Sequence, residues 1–305
     1  MRPPTTLMEA IRYFADPDVA QDFVASLRWP DGPECPSCGG KDYSYLKTRR
    51  LWKCKACKRQ YSVKVGTIFE DSPISLDKWL ASIWLIANAK NGISSHELGR
   101  SIGLSQKSSW FVLHRIRLAM QTKTFARLEG EVEADETYVG GLARNMHRDV
   151  RRRKIRGAGI KDKTPVLGML ERGGEVRAIT VPSTRRVALQ PRVREHVQPG
   201  SALYTDDHHS YIGLEGDYDH AVVNHAERYV DGKVHTNGME NFWSLLKRGL
   251  KGTYVSVEPF HLFRYLDERV FTFNMRGITD LGRFAAVLAA VSGRRLTYAE
   301  LIGKA

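Results

Sequence analysis

The chain has 305 residues, enough for two or three domains, and its 42% hydrophobic and 10% aromatic content is typical of a folded protein. A formal net charge of +13 and a sequence pI near 9.6 favour a polyanionic partner, most commonly nucleic acid. The N-terminus is too polar for a signal peptide, and no long uncharged apolar run follows it. We therefore expect a cytoplasmic protein that does not associate with membranes.

Residues 1–70 are predicted to hold two helices followed by a small metal-binding unit. All four cysteines of the chain lie here as two C-x-x-C pairs separated by fifteen residues, a spacing that presents four thiolates to one tetrahedral zinc ion. The segments 43–53 and 59–65 are predicted to be the strands of a zinc ribbon, with one structural Zn²⁺ bound by Cys35, Cys38, Cys54 and Cys57. A redox-active or merely structural cysteine cluster is the alternative.

Residues 71–125 are predicted to form a helical DNA-binding domain. Ser75 suits the N-cap of a helix that Asn91-Gly92 ends. A short helix, a turn at Gly103, a cap at Ser105 and a longer helix follow, which is the pattern of a helix-turn-helix. With the apolar stripe of the longer helix facing the core, the side chains left to contact DNA are Gln106, Lys107, Ser108 and Arg115. An ordinary helical pair is the alternative.

Residues 130–280 alternate strands and helices, and residues 281–305 are predicted to be a helical tail. Strands are predicted over 131–139, 164–171, 175–181, 201–205 and 219–223, and helices over 184–197, from about 237 and over 259–273. Three early antiparallel strands followed by helix, strand and helix give the order of an RNase H-like domain. The predicted fold class is therefore α/β (α+β, mixed sheet), with an RNase H-like catalytic domain preceded by a zinc ribbon and a helix-turn-helix.

Three carboxylates in this third part are candidates for phosphoryl-transfer chemistry. Asp135 lies in the first strand of the domain, Asp206 ends a later strand and Glu240 begins a helix. These places converge in an RNase H-like fold, where crowded carboxylates need divalent cations between them. Strand-end solvation and turn formation are the alternatives for the two aspartates. A capping box with Asn237 is the alternative for Glu240.

The helix that contains Glu240 also carries basic residues. Its apolar residues gather on one face, while Glu240, Ser244, Lys247 and Lys251 line an adjacent stripe that suits a site for metal and phosphate. Trp243 lies on the apolar face, so core packing is favoured over stacking on a base. Histidines near the carboxylates raise a hydrolytic zinc site as an alternative, but no H-E-x-x-H or comparable spacing occurs.

A basic loop is predicted over 147–156, with six Arg or Lys residues against one Asp. Beside a nuclease site it is expected to contact phosphates, in a manner that weakens steeply with salt. The DNA-contacting candidates in this segment are Arg151, Arg152, Arg153 and Lys154. A solvated, disordered insertion is the alternative.

Three blocks of the sequence carry a resemblance to a known family: EADETYVGG, YTDDHHSY and HTNGMENFWSLLKRGLKGTY. They are similar to the catalytic blocks of bacterial insertion-sequence transposases of the DDE type, in particular the group with an N-terminal zinc ribbon. RWPDGPECPSCGG, VGTIFEDSPISLDKW and FHLFRYLDERVFTFNMR resemble other segments of that group. The resemblance therefore extends from about residue 20 to residue 276, in the expected order.

This resemblance implies a function and assigns roles. Asp135, Asp206 and Glu240 would bind two catalytic Mg²⁺ or Mn²⁺ ions, with Asn237 and Lys247 as further catalytic-site candidates. The chain would bind terminal inverted repeats and target DNA as at least a dimer in the bacterial nucleoid, cleaving strands and joining them. A non-catalytic DNA-binding regulator, or a domesticated transposase, is the alternative, and a junction resolvase is another.

Overall fold

The computed structural model describes residues 3–121, 126–140, 147–154, 163–223 and 234–304. The chain divides into two compact units, one formed by Met1–Gln121 with Gly277–Ala305 and the other by Thr122–Arg276. Within the described ranges, no helix is long and apolar enough to cross a membrane.

The first unit begins with two helices and a small antiparallel sheet. The elements are α1 (Leu7–Tyr13), α2 (Pro17–Arg28), β1 (Tyr43–Leu46), β2 (Leu51–Cys54) and β3 (Gln60–Tyr61), with the sheet ordered β1-β2-β3. The prediction of one strand over 43–53 was wrong, because the chain reverses between β1 and β2. Arg50 closes this turn in the left-handed region, with φ of 51°, and its guanidinium lies 2.6 Å from Asp18.

Three helices complete the N-terminal part of this unit. They are α3 (Leu76–Asn88), α4 (Ser95–Ile102) and α5 (Gln106–Met120). Gly103 ends α4 in the left-handed region, with φ of 66°, and the hydroxyl of Ser105 accepts the Ser108 N–H at 3.2 Å to cap α5. A Cβ on Gly99 would lie 2.7 Å from the Leu104 carbonyl oxygen, so the tight connection between α4 and α5 requires glycine. The helix, turn and cap therefore lie at the positions predicted from the sequence.

The second unit is built on a five-stranded mixed sheet. Its strands are β4 (Glu131–Val139), β5 (Thr164–Glu171), β6 (Val176–Thr180), β7 (Ala202–Asp206) and β8 (Asp219–Val223). The spatial order is β6-β5-β4-β7-β8, with β4, β5 and β6 antiparallel and β4, β7 and β8 parallel. The central strand β4 therefore joins the antiparallel half to the parallel half, as expected for an RNase H-like sheet.

The helices of this unit are α6 (Arg148–Lys154), α7 (Arg186–His196), α8 (Asn237–Gly249) and α9 (Leu262–Asn274). Of these, α7 covers one face of the sheet, and α8 and α9 cover the other. One core includes Val132, Ala134 and the apolar residues of α7; the other includes Val166 and the apolar residues of α8 and α9. Because alternate residues of a strand face opposite sides, the odd-numbered residues of β4 face α8 and the even-numbered residues face α7.

The C-terminal residues belong to the first unit. They form α10 (Asp280–Ala289) and α11 (Tyr298–Leu301). Phe284 of α10 is fully buried, and its ring centroid lies 5.0 Å from that of Trp84 and 5.9 Å from that of Phe14. The segment predicted as a tail thus packs into the core of the N-terminal helices.

Candidate active site and metal centre

Four thiols converge in the small sheet of the first unit. The sulfur atoms of Cys35, Cys38, Cys54 and Cys57 all lie within 4.8 Å of one another. A tetrahedral zinc ion requires four such ligands close together, so these residues fit the metal that the cysteine spacing predicted.

Each cysteine pair is held in a matching turn. Gly39 follows the first pair and Lys58 follows the second, and both adopt the left-handed region, with φ of 72° and 62°. A Cβ on Gly40 would lie 3.3 Å from the Cys54 sulfur, so glycine keeps space beside the cluster. Because the core of this subdomain is small, metal binding is expected to supply much of its folding free energy.

Two of the three candidate carboxylates lie at the same edge of the larger sheet. Strands β4 and β7 pair in parallel, with Val132 opposite Leu203 and Glu133 opposite Tyr204. Continuing this register by two residues brings Asp135 level with Asp206. Neighbouring strands are about 4.8 Å apart, and residues at level positions of parallel strands face the same side, so the two carboxylates are neighbours.

Glu240 lies on α8, the helix that covers the face of the sheet to which Asp135 points. Met239, Phe242 and Trp243 of α8 are buried, whereas Glu240 is exposed. The N-cap of α8 is Thr236, which makes no side-chain cap hydrogen bond, so the capping-box alternative for Glu240 is wrong. The other exposed candidates of this helix region are Asn237, Lys247 and Lys251.

The side chain of Asp135 is held by two hydrogen bonds. Its Oδ1 accepts the backbone N–H of Glu136 at 2.8 Å, and its Oδ2 accepts the indole N–H of Trp243 at 2.9 Å. Burial raises the pKa of Asp135 to about 6; the Trp243 hydrogen bond opposes this rise, and the negative charges of Asp206 and Glu240 add to it. The carboxyl therefore lies in a setting where a cation would strongly favour its ionised form.

A second buried carboxyl lies on the other face of β4. Glu136 accepts the Tyr211 hydroxyl at 2.5 Å, and its other oxygen lies 3.4 Å from Nδ1 of His208. The backbone N–H of His208 donates to Asp206 at 3.3 Å. Burial raises the pKa of Glu136 to about 7. The Tyr211 hydrogen bond opposes this rise, and the negative charges of Asp206 and Asp135 add to it. Sequence reasoning missed this residue, although its position beside Asp135 was a usable signal.

A third acidic residue of β4, also missed from the sequence, holds the start of α8. Glu133 is 1% exposed and accepts the backbone N–H of Met239 at 2.9 Å. Arg172 donates to Glu133 at 2.9 Å, and His235 lies 3.3 Å from it. The alternation of acids in EVEADE was the signal, since it places Glu133 and Asp135 on one face of the strand.

The histidines and the carboxylates do not form a second metal cluster of the cysteine type. Across the described residues, the thiols are the one group of three or more metal-ligating side chains gathered this closely. His208 and His235 instead contact Glu136 and Glu133. The geometry thus gives no support to the hydrolytic zinc alternative.

The candidate DNA-contacting residues of α5 separate into two groups. Gln106 and Lys107 are exposed and Ser108 is half-buried, all at the first turn of the helix. The prediction that Arg115 faces DNA is wrong, because it is only 3% exposed. Its guanidinium donates to the carbonyls of Leu296 at 3.0 Å, Ile68 at 2.8 Å and Glu70 at 2.7 Å, all within the first unit.

The basic segment after β4 is helical where it is described. It forms α6, and Arg151 and Arg152 are exposed on it. The side chains of Arg153 and Lys154, and residues 155–156, lie outside the described part. The prediction of a loop over 147–156 therefore needs correction for 148–154.

Comparison with known proteins agrees with this geometry. A family model described as the ISXO2-like transposase domain matches residues 127–274, and one described as the transposase zinc-ribbon domain matches residues 16–60. An uncharacterized protein in transposable element ISH50 of Halobacterium salinarum is 29% identical over 256 residues, covering 80% of this chain and 86% of that protein. An uncharacterized transposase-like protein of Haemophilus influenzae is 33% identical over 101 residues, covering 33% of this chain and 81% of that protein. No solved structure gives a significant match.

The two family matches, together with the mixed sheet and the four-thiol ribbon, identify a DDE-type transposase. This chain belongs to the ISXO2-like family of insertion-sequence transposases that carry an N-terminal zinc ribbon. Its four clustered cysteines support Zn²⁺ as the metal of that ribbon.

Proposed function

We propose that the chain binds the terminal inverted repeats of its element and catalyses metal-dependent DNA cleavage and strand transfer. The observation that supports this proposal is that Asp135 and Asp206 are level on adjacent parallel strands, while Glu240 lies on the helix whose Trp243 donates to Asp135. Family membership supports the same chemistry.

The three carboxylates supply the oxygen donors that Mg²⁺ and Mn²⁺ prefer. With two such ions bound, the site would activate a water or a 3′-hydroxyl and stabilise the leaving oxygen of the phosphodiester. The chain's own contribution is to hold Asp135 with two hydrogen bonds and to present Glu240 from an exposed helix position. Asn237 and Lys247 are exposed on the same helix and are proposed to contact the scissile DNA.

DNA binding is proposed for both units. In the first unit, Gln106, Lys107 and Ser108 occupy the N-terminal turn of α5, the part of a recognition helix that reaches base edges. In the second unit, exposed cations of α6 and of the α8 region, among them Lys251, are proposed to contact phosphates. Because two element ends must be brought together, we infer at least a dimer on DNA, acting in the bacterial cytoplasm.

The experiment that tests this function is a cleavage and strand-transfer assay on labelled element-end DNA with Mg²⁺ or Mn²⁺. Wild type is compared with Glu240→Gln, which keeps the side-chain shape and removes the charge. The matched control is Glu195→Gln on the outer side of α7, where Glu195 is 53% exposed and forms an ion pair with Arg192, three residues earlier in the same helix. We expect metal-dependent cleavage and joining in wild type and control, and loss of both in Glu240→Gln.

Other outcomes identify other functions. Tight end binding without cleavage in any of the proteins would assign the chain to the DNA-binding regulators. Cleavage without joining of a 3′-hydroxyl oligonucleotide would identify a resolvase-like nuclease. Undiminished cleavage by Glu240→Gln would remove this residue from the metal site.

A further inference from the structure

The indole of Trp243 contacts a carboxylate although it lies on the apolar face of α8. Trp243 is 4% exposed, and its N–H donates to Oδ2 of Asp135 at 2.9 Å. The second oxygen, Oδ1, is fixed by the Glu136 backbone N–H. Two donors from two different elements therefore set the plane of the carboxylate, while each oxygen retains a lone pair for a cation.

The strand beneath this indole is shaped to admit it. Gly168 of β5 lies opposite Asp135 in the sheet register. A Cβ at Gly168 would stand 2.1 Å from Cε of Met239 and 2.5 Å from Cζ2 of Trp243, closer than real carbon atoms approach. Glycine at this position lets α8 lie close enough to the sheet for the indole N–H to reach Asp135.

A second contact fixes the register of α8 along β4. Glu133 accepts the Met239 backbone N–H at 2.9 Å, and Asp135 accepts from Trp243, four residues further along the helix. Four helical residues rise roughly 6 Å and two strand residues roughly 7 Å, so the two pairs match only when α8 runs alongside β4. A Cβ on Gly238 would lie 2.8 Å from Glu133 Oε2, which shows how close this contact is. Along α8, Glu240 lies between the two residues that make these contacts.

We propose that Trp243 is a positioning residue that orients the carboxylate of Asp135 for divalent metal and, with Glu133, keeps Glu240 in register with it. The inference rests on the proposed metal-dependent function. The indole does not contact metal or DNA in this role; it acts through Asp135. Removing the N–H while keeping an aromatic ring should therefore weaken metal binding more than it weakens folding.

The test measures Mn²⁺ binding to the zinc-loaded full chain by calorimetry or electron paramagnetic resonance, alongside cleavage as a function of Mn²⁺ concentration. Trp243→Phe is compared with Phe242→Leu, a packing change at the neighbouring buried ring of the same helix, which is 1% exposed. For Trp243→Phe we expect the Kd for Mn²⁺ to rise roughly 10- to 100-fold, as for other residues that orient metal ligands, with cleavage partly restored at high Mn²⁺. Phe242→Leu should lower the melting temperature and leave the Kd for Mn²⁺ close to that of wild type.

Gly168→Ala provides a second route if Trp243→Phe does not fold. It retains the indole but displaces it from Asp135, so the proposal again requires weaker Mn²⁺ binding. An unchanged Kd for Mn²⁺ in the folded variant, or an equal loss in Phe242→Leu, would overturn the positioning role. If wild type binds Mn²⁺ but cuts no DNA, the transposition proposal fails, while the comparison of Mn²⁺ affinities still decides the role of Trp243.

Discussion

Replacing Asp135 by Asn should stabilise the second unit in the absence of divalent cations while abolishing cleavage. Burial raises the pKa of this carboxyl from 3.8 to about 6, with the Trp243 hydrogen bond opposing and neighbouring negative charges adding to the rise. A rise of roughly two pH units corresponds to about 3 kcal/mol of destabilisation once the folded carboxyl is ionised. Asparagine removes the charge, and its single amide oxygen can accept from only one of the two donors, Trp243 or the Glu136 N–H. Loss of the other hydrogen bond offsets part of the gain, so about 3 kcal/mol is an upper limit.

The size of this effect depends on pH. Well below pH 3.8 the carboxyl is protonated in both the folded and the unfolded state, and the penalty is absent. Between about pH 4 and pH 6 the folded chain keeps a proton that the unfolded chain releases, so stability falls as pH rises. The advantage of Asp135→Asn should therefore grow through this interval and reach at most about 3 kcal/mol near neutral pH, which is a melting-temperature gain of about 6 to 12 °C for a unit of this size.

Differential scanning calorimetry with zinc retained and other divalent cations removed by resin is the suitable assay, because a strong chelator would also strip the ribbon. Adding Mg²⁺ should raise the melting temperature of wild type by more than that of Asp135→Asn, since the variant retains only two of the three proposed carboxylate ligands. A variant that is less stable than wild type at neutral pH without divalent cations would refute the reasoning. So would an advantage that does not shrink on going to pH 4.

Three further outcomes are expected. Cys54→Ser should release the zinc, measured by a colorimetric chelator, and unfold the ribbon, because the metal supplies much of its folding free energy; a ribbon that keeps its fold and its zinc would contradict this. Arg115→Met should destabilise the first unit by about 3 kcal/mol or more, since three carbonyls, two of them in buried contacts, lose a charged donor. It should leave the salt dependence of end binding unchanged in a filter-binding titration. Replacing Arg151 and Arg152 together by Ala should reduce the slope of log K against log salt by about one for each DNA phosphate that these arginines neutralise; an unchanged slope would exclude α6 from the DNA interface.

The sheet of the second unit could be predicted from the sequence because its strands either alternate apolar and polar residues or form short apolar runs bounded by turns. The hairpin at Gly173 and Gly174 and the start of α8 followed from local signals of this kind. The apolar face of α8 also followed from helical periodicity, which depends only on spacing along the chain. The sequence could therefore place Asp135 and Asp206 on strands that the register brings level with each other.

Interactions between distant segments could not be predicted in this way. Arg115 is buried because a residue 181 positions further along the chain supplies a carbonyl to it. The helix α5 is buried on most of its circumference, so a single apolar stripe does not describe which of its residues face water. Likewise, the N–H of Trp243 has a partner only when α8 lies on β4, and periodicity assigns the ring to the core without revealing the bond.

The C-terminal residues have a consequence for the order in which the chain can fold during synthesis. Phe284 fills the space among the N-terminal helices, and Leu296 supplies a carbonyl to Arg115, so the first unit is incomplete until residues 284–296 have left the ribosome. The second unit is continuous in sequence and has no such requirement. Translation should therefore yield a folded second unit before a complete first unit, and a fragment ending at residue 121 should be less stable than the complete first unit.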